Sequence, residues 1–296
     1  MAGRYFETFD VFTETVFAGN PLAVVFDGQD LTTDQMQTIT REFNLSETTF
    51  ILPPENPEHT ARVRIFTLGY EMPFAGHPTV GTAIAIAKQR GLTGSLTLEL
   101  NAGLFVVDVD ASGSAMFARF SSPNMPGEIG PAPSSDALAR ALGLSVDDIS
   151  DGAHRPRLCG SGGVNYVYVH SSLERVSAAQ LNHGAFVDLD LDNTVGVYLY
   201  AHGGVHDSTH WHARMFAPTA GIPEDPATGS AAAGFPAQLL LAGEVHSPSH
   251  QWRVEQGYEM GRPSEIDLRI AQKEGVITSV EIGGFAVPVM QGELNH

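Results

Sequence analysis

The chain repeats itself once, and that repeat limits its possible folds more than any other feature. Gly76–Ala85 reads G-H-P-T-V-G-T-A-I-A, and Glu224–Ala233 reads E-D-P-A-T-G-S-A-A-A. Aligning Pro78 on Pro226 gives the shared pattern P-x-x-G-[ST]-A-x-A, with the two prolines half a chain length apart in 296 residues. Upstream, Arg64-Ile65-Phe66 has a counterpart in Arg214-Met215-Phe216. A pattern that recurs at this distance predicts two similar halves.

The repeated unit has specific physics. Proline is tolerated at the first helical position, where its missing N–H would have no partner anyway. The residues after it then present backbone N–H groups with no intrahelical acceptor. The run of small residues behind them lets other backbone, or a ligand, approach closely. Such helix starts attract anions through their amides and the positive end of the macrodipole. One copy alone would read as a buried helix start. The matched pair predicts a place for a carboxylate, and for a carbanion delocalised into it.

Bulk properties narrow the partners. With 34 acidic and 16 basic residues the net charge is −18, which argues against a nucleic-acid or anionic-membrane partner. A local positive field can still hold an acidic substrate. Cys159 is the only cysteine, so neither an intrachain disulfide nor a cysteine zinc cluster can form. The N-terminal residues lack the apolar stretch of a signal peptide, and the longest apolar runs are far too short to span a bilayer. The expected location is the cytoplasm.

Periodicity predicts strands at Tyr5–Val11 and Leu22–Phe26, with a turn through Phe17–Pro21 between them. A helix follows: Thr32 and Gln35 fit a capping box, Leu31 and Met36 a hydrophobic staple, and the helix stops at Asn44. Further strands are expected at Leu45–Leu52, Ala61–Thr67, Ser95–Leu100 and Leu104–Asp110, with the first small-residue helix ending near Gly91. Ser121–Ser135 holds four prolines and reads as a linker. It separates a half at 1–121 from a half at 122–296, with the last strand able to cross back to the first half. The second half predicts helices at Asp136–Leu142 and Val146–Ile149. Its strands are expected at Asn165–Val169, Thr194–Tyr200, His210–Phe216, Gln251–Gln256, Glu265–Ile270, Val276–Ile282 and Phe285–Met290. Pro236 predicts a kink or break in the second small-residue helix. The fold class is α+β, two pseudo-symmetric halves with a mostly antiparallel sheet rolled around a central helix in each.

Glu47 stands out as a carboxyl in an apolar strand, on the face shared by Thr49 and Ile51. Apolar surroundings raise a carboxyl pKa towards neutrality, which suits proton exchange with carbon. The alternative is an edge-strand Glu that reaches water. His77 and Asp225 occupy equivalent positions just before the two prolines, although Asp225 also fits an N-cap and His77 a core histidine. Asn20 could offer an amide to a substrate, or simply close a turn. His202, His206, His210 and His212 are read as solvated surface histidines, with no metal site expected. Cys159 lies beside Gly160-Ser161-Gly162-Gly163, but without Walker spacing or G-x-G-x-x-G a nucleotide site has weak support.

Taken together, Asp10–Thr13, Phe17–Val25, Asn44–Thr48, Gly76–Thr79 and Glu224–Ala231, with Gln256-Gly257 and Met260–Ser264, resemble the phenazine-biosynthesis PhzF-like family of isomerases. The resemblance implies a diaminopimelate-epimerase-like fold with the active site between the halves, no cofactor, and a homodimer. The best understood type isomerises trans-2,3-dihydro-3-hydroxyanthranilate. Carried over by motif, Glu47 is the acid/base, His77 and Asp225 assist at the substrate, and Gly76, Thr228, Gly229 and Ser230 line the site with Asn20. The related amino-acid epimerases carry two cysteines at these helix entrances. Here those places hold Gly76-His77 and Asp225–Thr228, which excludes a two-thiol racemase. The expectation is a cofactor-independent isomerase that moves a proton within a small carboxylate. The alternatives are epimerase or lyase chemistry on another small acid, or a binding protein without catalysis.

Overall fold

The computed structural model describes residues 3–295. In chain order the elements are β1 (Arg4–Val11), β2 (Asn20–Val25), α1 (Thr33–Phe43), β3 (Glu47–Leu52), β4 (Ala61–Thr67), β5 (Glu71–Met72), α2 (Gly76–Arg90), β6 (Gly94–Leu100), β7 (Gly103–Asp110) and β8 (Met116–Ser121). There follow β9 (Gly127–Gly130), α3 (Ser135–Leu142), β10 (Arg157–Ser161), β11 (Val164–His170), α4 (Leu173–Ala178), α5 (His183–Val187), β12 (Gly196–His202), β13 (Trp211–Ala217) and β14 (Ile222–Asp225). The chain closes with α6 (Gly229–Ala242), β15 (Ser249–Gln256), β16 (Ser264–Lys273) and the 19-residue β17 (Val276–Leu294). It forms two units, one comprising residues 1–121 with 283–296 and the other 122–282.

In the first unit the sheet closes on itself. The pairing runs β1–β2–β3–β4–β6–β7–β8–β17 and back to β1, with β2–β3 and β4–β6 parallel. Helix α2 packs against β1, β2, β3, β7 and β8 and is buried from Gly76 through Ala87. A helix apolar on every side needs neighbours all round, and a closed sheet supplies them. Gly81 makes this fit possible, since a Cβ there would lie 2.6 Å from Leu22 Cδ2 and 2.7 Å from Val11 Cγ2. Helix α1 covers the outer face, with Met36 in a cluster with Leu31, Val25, Phe50 and Phe66. Its start is the Thr32–Gln35 capping box, and its end is Asn44 in the left-handed region.

The second unit repeats this logic with different side chains. Its sheet runs β9–β10–β11–β12–β13–β15–β16, with β11–β12 and β13–β15 parallel. Strand alternation divides β11 and β12 cleanly. Tyr168 and Tyr200 turn towards α6, where both rings meet Phe235. Val167, Val169, Val197 and Leu199 turn the other way, onto Leu138, Leu142, Val176 and Phe186 of α3, α4 and α5. The repeat extends beyond the helices. Arg64 forks onto Glu71 (2.7 and 2.6 Å) as Arg214 forks onto Glu224 (2.7 and 2.9 Å). Each guanidinium also lies over its neighbouring ring, Phe66 at 5.1 Å and Phe216 at 4.9 Å.

Several expectations are corrected. Of the kink or break expected at Pro236, the break does not occur: helix α6 continues through it, because packing around nearly every side outweighs one missing hydrogen bond. The two closing strands are one, β17, within which Gly283 sits tight against Phe117 and Ala118 of β8. The proline-rich segment contains a strand, β9, paired with β10. Asn20 and Pro21 belong to β2 rather than to a turn. Among the described residues, no helix is long and apolar enough to cross a membrane.

Candidate active site

In the first unit, three elements bring Glu47, His77 and Asn20 together. Glu47 opens β3 beside Leu22 of β2, His77 is the second residue of α2, and Asn20 opens β2. Thr49, two residues along β3, accepts a 2.8 Å hydrogen bond from Thr82 of α2. The face shared by Glu47 and Thr49 is therefore the one turned to the central helix. Glu47 is 7% and His77 5% exposed, so neither reaches water freely. The reading of Glu47 as an edge residue in solvent fails on this point.

The imidazole stands between the other two side chains. Asn20 Nδ2 lies 3.3 Å from His77 Nδ1, and His77 Nε2 lies 3.2 Å from Glu47 Oε2. With the amide donating, Nδ1 accepts and the proton of the neutral ring sits on Nε2, facing the carboxyl. Burial pushes the His77 pKa down to about 3, so the ring is neutral over the working range. A neutral imidazole beside Glu47 fixes the carboxyl's surroundings without adding a positive charge to them. Asn20, fully buried, thus sets the ring's tautomer, a role that turn propensity gave no reason to expect.

In the second unit, Asp225 ends β14 and accepts a hydrogen bond from the Thr228 hydroxyl at 2.5 Å. Gln256 of β15 locks the segment, accepting from Thr228 N (3.2 Å) and donating to Asp225 O (2.7 Å) and Thr228 Oγ1 (2.9 Å). Gly257 follows at φ +79°, where a Cβ would meet Pro226 O at 2.6 Å, so this strand end lies against the loop backbone. Ser230, in the first turn of α6, shares a 2.7 Å hydrogen bond with Tyr166. Asp225, Thr228, Gly229 and Ser230 are therefore gathered at one helix start. Gln256, whose tertiary contacts organise them, carried no local signal beyond its place in a motif.

The two helix starts are less alike than the repeat implies. Pro78 is the third residue of α2, while Pro226 precedes α6 by three residues. Neither is at the first helical position. In the second copy the bonds from Thr228 and Gln256 hold residues 225–228 out of the helix, whereas Ala75 lets α2 begin directly at Gly76. Neither helix has a side-chain N-cap or an acidic residue in its first turn. Both starts thus keep the anion-favouring character inferred from the motif.

The other candidates fall elsewhere. Cys159 is fully buried on β10, and burial pushes its thiol up to about 12, far from nucleophilic. His202 and His210 are exposed, as is His206. His212 is the exception to the surface reading: its side chain is 1% exposed, between Glu255 (3.3 Å) and Glu259 (2.8 Å). The loop preceding β13 buries it, because Glu255 also ties down the amides of Val205 and His206.

This architecture is an α+β fold of two similar units, each a sheet wrapped about a buried helix, with a carboxyl–imidazole pair at one helix start. Residues 9–292 match the family of phenazine biosynthesis-like proteins, PhzC-PhzF, and the chain belongs to that family. It is an isomerase by class. It is 42% identical to an uncharacterized isomerase of Mesorhizobium japonicum, over 99% of both chains. It is 35% identical to the trans-2,3-dihydro-3-hydroxyanthranilate isomerase of Pseudomonas chlororaphis, over 98% of this chain and 99% of that one. The crystal structure of a Bacillus anthracis PhzF-family phenazine biosynthesis protein superposes with a TM-score of 0.89 at 28% identity, covering both chains fully.

Proposed function

We propose that this chain shifts a proton within a small cyclic carboxylate, with Glu47 as the acid/base that removes and redelivers it. The observation that carries the reading is the buried Glu47–His77–Asn20 series, a carboxyl paired at 3.2 Å with an imidazole kept neutral. Glu47 takes a proton from an activated C–H, the electron pair delocalises towards the substrate's carboxylate, and Glu47, its proton exchanged with solvent, delivers one at a conjugated carbon. The C–H bond broken at one carbon is matched by the one formed at another, so the net oxidation level is unchanged and the step needs no redox cofactor. His77 holds Glu47 in register. Gly76 at the start of α2 offers helix-start donors for an acid group, and Thr228, Gly229 and Ser230 at the start of α6 offer donors of the same kind within the second unit, where the Asp225 carboxylate accepts from Thr228. A dihydroaromatic amino acid, the kind of compound named for the Pseudomonas chlororaphis relative, is the first substrate to try.

General acid–base participation is worth about 10²–10⁴-fold. Glu47→Gln should lower kcat by that factor and leave substrate affinity nearly intact. Proton NMR in deuterium oxide should show deuterium at the receiving carbon with the native enzyme and none with the variant. Unchanged turnover in Glu47→Gln would remove Glu47 from the mechanism. Deuterium returning only at the carbon that lost its proton would indicate epimerisation instead.

A further inference from the structure

Three histidines that are distant in sequence meet at one place in the second unit, away from Asp225 and the start of α6. His154 lies at the end of a short helical turn (Gly152–His154), His170 at the end of β11 and His202 at the end of β12. One ligand atom from each lies within 4.8 Å of those of the other two. The ring centroids of His154 and His170 are 4.4 Å apart, and His202 is 5.4 Å from both. Glu244, just past the end of α6, adds a carboxylate: its Oε1 lies 2.9 Å from His154 Nε2 and 3.4 Å from His202 Nε2.

The far nitrogens are already engaged. His154 Nδ1 is 3.0 Å from the Tyr200 hydroxyl, and His170 Nδ1 is 2.6 Å from Ser150 Oγ. Imidazoles that bind metals have this arrangement, with one nitrogen oriented by a hydrogen bond and the other left for the ion. His170 Nε2 is the remaining atom of that ring; it is buried and has no hydrogen-bond partner among the described residues. Packing three imidazoles together without an ion is unfavourable in protonated form.

We propose that His154, His170, His202 and Glu244 form a zinc(II) site. Three imidazole nitrogens and one carboxylate oxygen make a four-ligand set, the number a structural zinc takes, and borderline donors of this kind suit zinc better than magnesium or calcium. The ion would join four separate pieces of chain: the Gly152–His154 turn, the ends of the parallel pair β11 and β12, and the segment following α6. It clamps the C-terminal end of α6 to the sheet. His202 is half exposed and Glu244 partly so, which gives the ion a path in and lets the carboxylate draw closer. Ligand separations must contract from the present limit of 4.8 Å to satisfy zinc–nitrogen bonds of about 2.0–2.1 Å.

The test uses the full-length chain without a histidine tag, stripped with a chelator and titrated with zinc chloride against a chromophoric competitor. One equivalent should bind, raising the Tm, and cobalt(II) in its place should give the visible absorption of a tetrahedral nitrogen–oxygen site. His202→Ala and Glu244→Gln, both at partly exposed positions, should each weaken zinc binding at least about tenfold. Circular dichroism of the stripped variants checks their folding. A His246→Ala/His250→Ala variant should bind zinc like the native chain. Absence of stoichiometric binding at micromolar zinc, or binding unaltered in both His202→Ala and Glu244→Gln, would overturn the proposal. Loss of binding in His246→Ala/His250→Ala alone would do the same.

Discussion

Replacing His212 by glutamine should remove a part of the stability that depends on pH in a defined direction. Both ring nitrogens of His212 face carboxylates, Nδ1 towards Glu255 and Nε2 towards Glu259, so the ring is held as the imidazolium. Burial alone would lower its pKa; the hydrogen bonds it donates to Glu255 and Glu259 outweigh burial and raise it to about 9 from 6.5. Each pKa unit is worth about 1.4 kcal/mol, so the raised value corresponds to roughly 3 kcal/mol. The ion pair is counted once, through the histidine. Because the folded pKa lies above the unfolded one, this contribution is complete below pH 6.5 and is lost as pH rises through about 9. In urea unfolding near pH 6, His212→Gln should be less stable than the native chain by about 3 kcal/mol, the range for breaking a buried pair. At about pH 10 the gap should have closed by most of that amount. A gap of equal size at both pH values would refute the charged state assigned to His212.

Three further outcomes follow from packing and burial. Gly81→Ala places a methyl 2.6 Å from Leu22 Cδ2 and 2.7 Å from Val11 Cγ2. Overpacking of about 1–3 kcal/mol should outweigh the ~1 kcal/mol gained in helix propensity, and a raised Tm would show that β1 and β2 yield to the new methyl. Arg214→Lys loses the fork onto Glu224 and the bonds to the carbonyls of Val176 and Ala179 (3.1 and 2.7 Å). It should destabilise by about 2–3 kcal/mol in chemical denaturation, and an unaltered midpoint would show that lysine replaces the fork. Cys159, with its thiol at about 12, should react with a thiol reagent only when the chain unfolds. Rapid modification of the native protein would contradict its burial.

The sequence carried its clearest information where physics is local. Thr32, Gln35 and Asn44 bound α1 because caps act within a turn of the residues that make them. Arg64 and Arg214 could be matched by eye because each acts within a short hairpin-like segment, on Glu71 and Glu224. Glu47 and His77 were both legible, one as an acid among apolar neighbours and one as a repeat position. Their 3.2 Å approach was not, since it depends on how α2 lies inside a closed sheet. The strands β5, β8, β9, β10 and β14 were not legible in the sequence for a similar reason. Short or mixed segments become strands only when a neighbour offers hydrogen bonds, and those neighbours are distant in sequence.

The histidines show the same division most sharply. His202, His206, His210 and His212 look like one group along the chain, yet the fold disperses them. His212 goes to a buried acidic pair, His202 joins His154 and His170, and His206 and His210 stay exposed. By itself the sequence determined the α+β class, the duplicated small-residue helices, the family and the acidic candidate in β3, because these rest on periodicity, composition and motif. Only the tertiary structure decided which side chains share a pocket of low dielectric. The partners that bury and pair Glu47, His77 and His212 lie far apart on the chain, and no short window of sequence contains both.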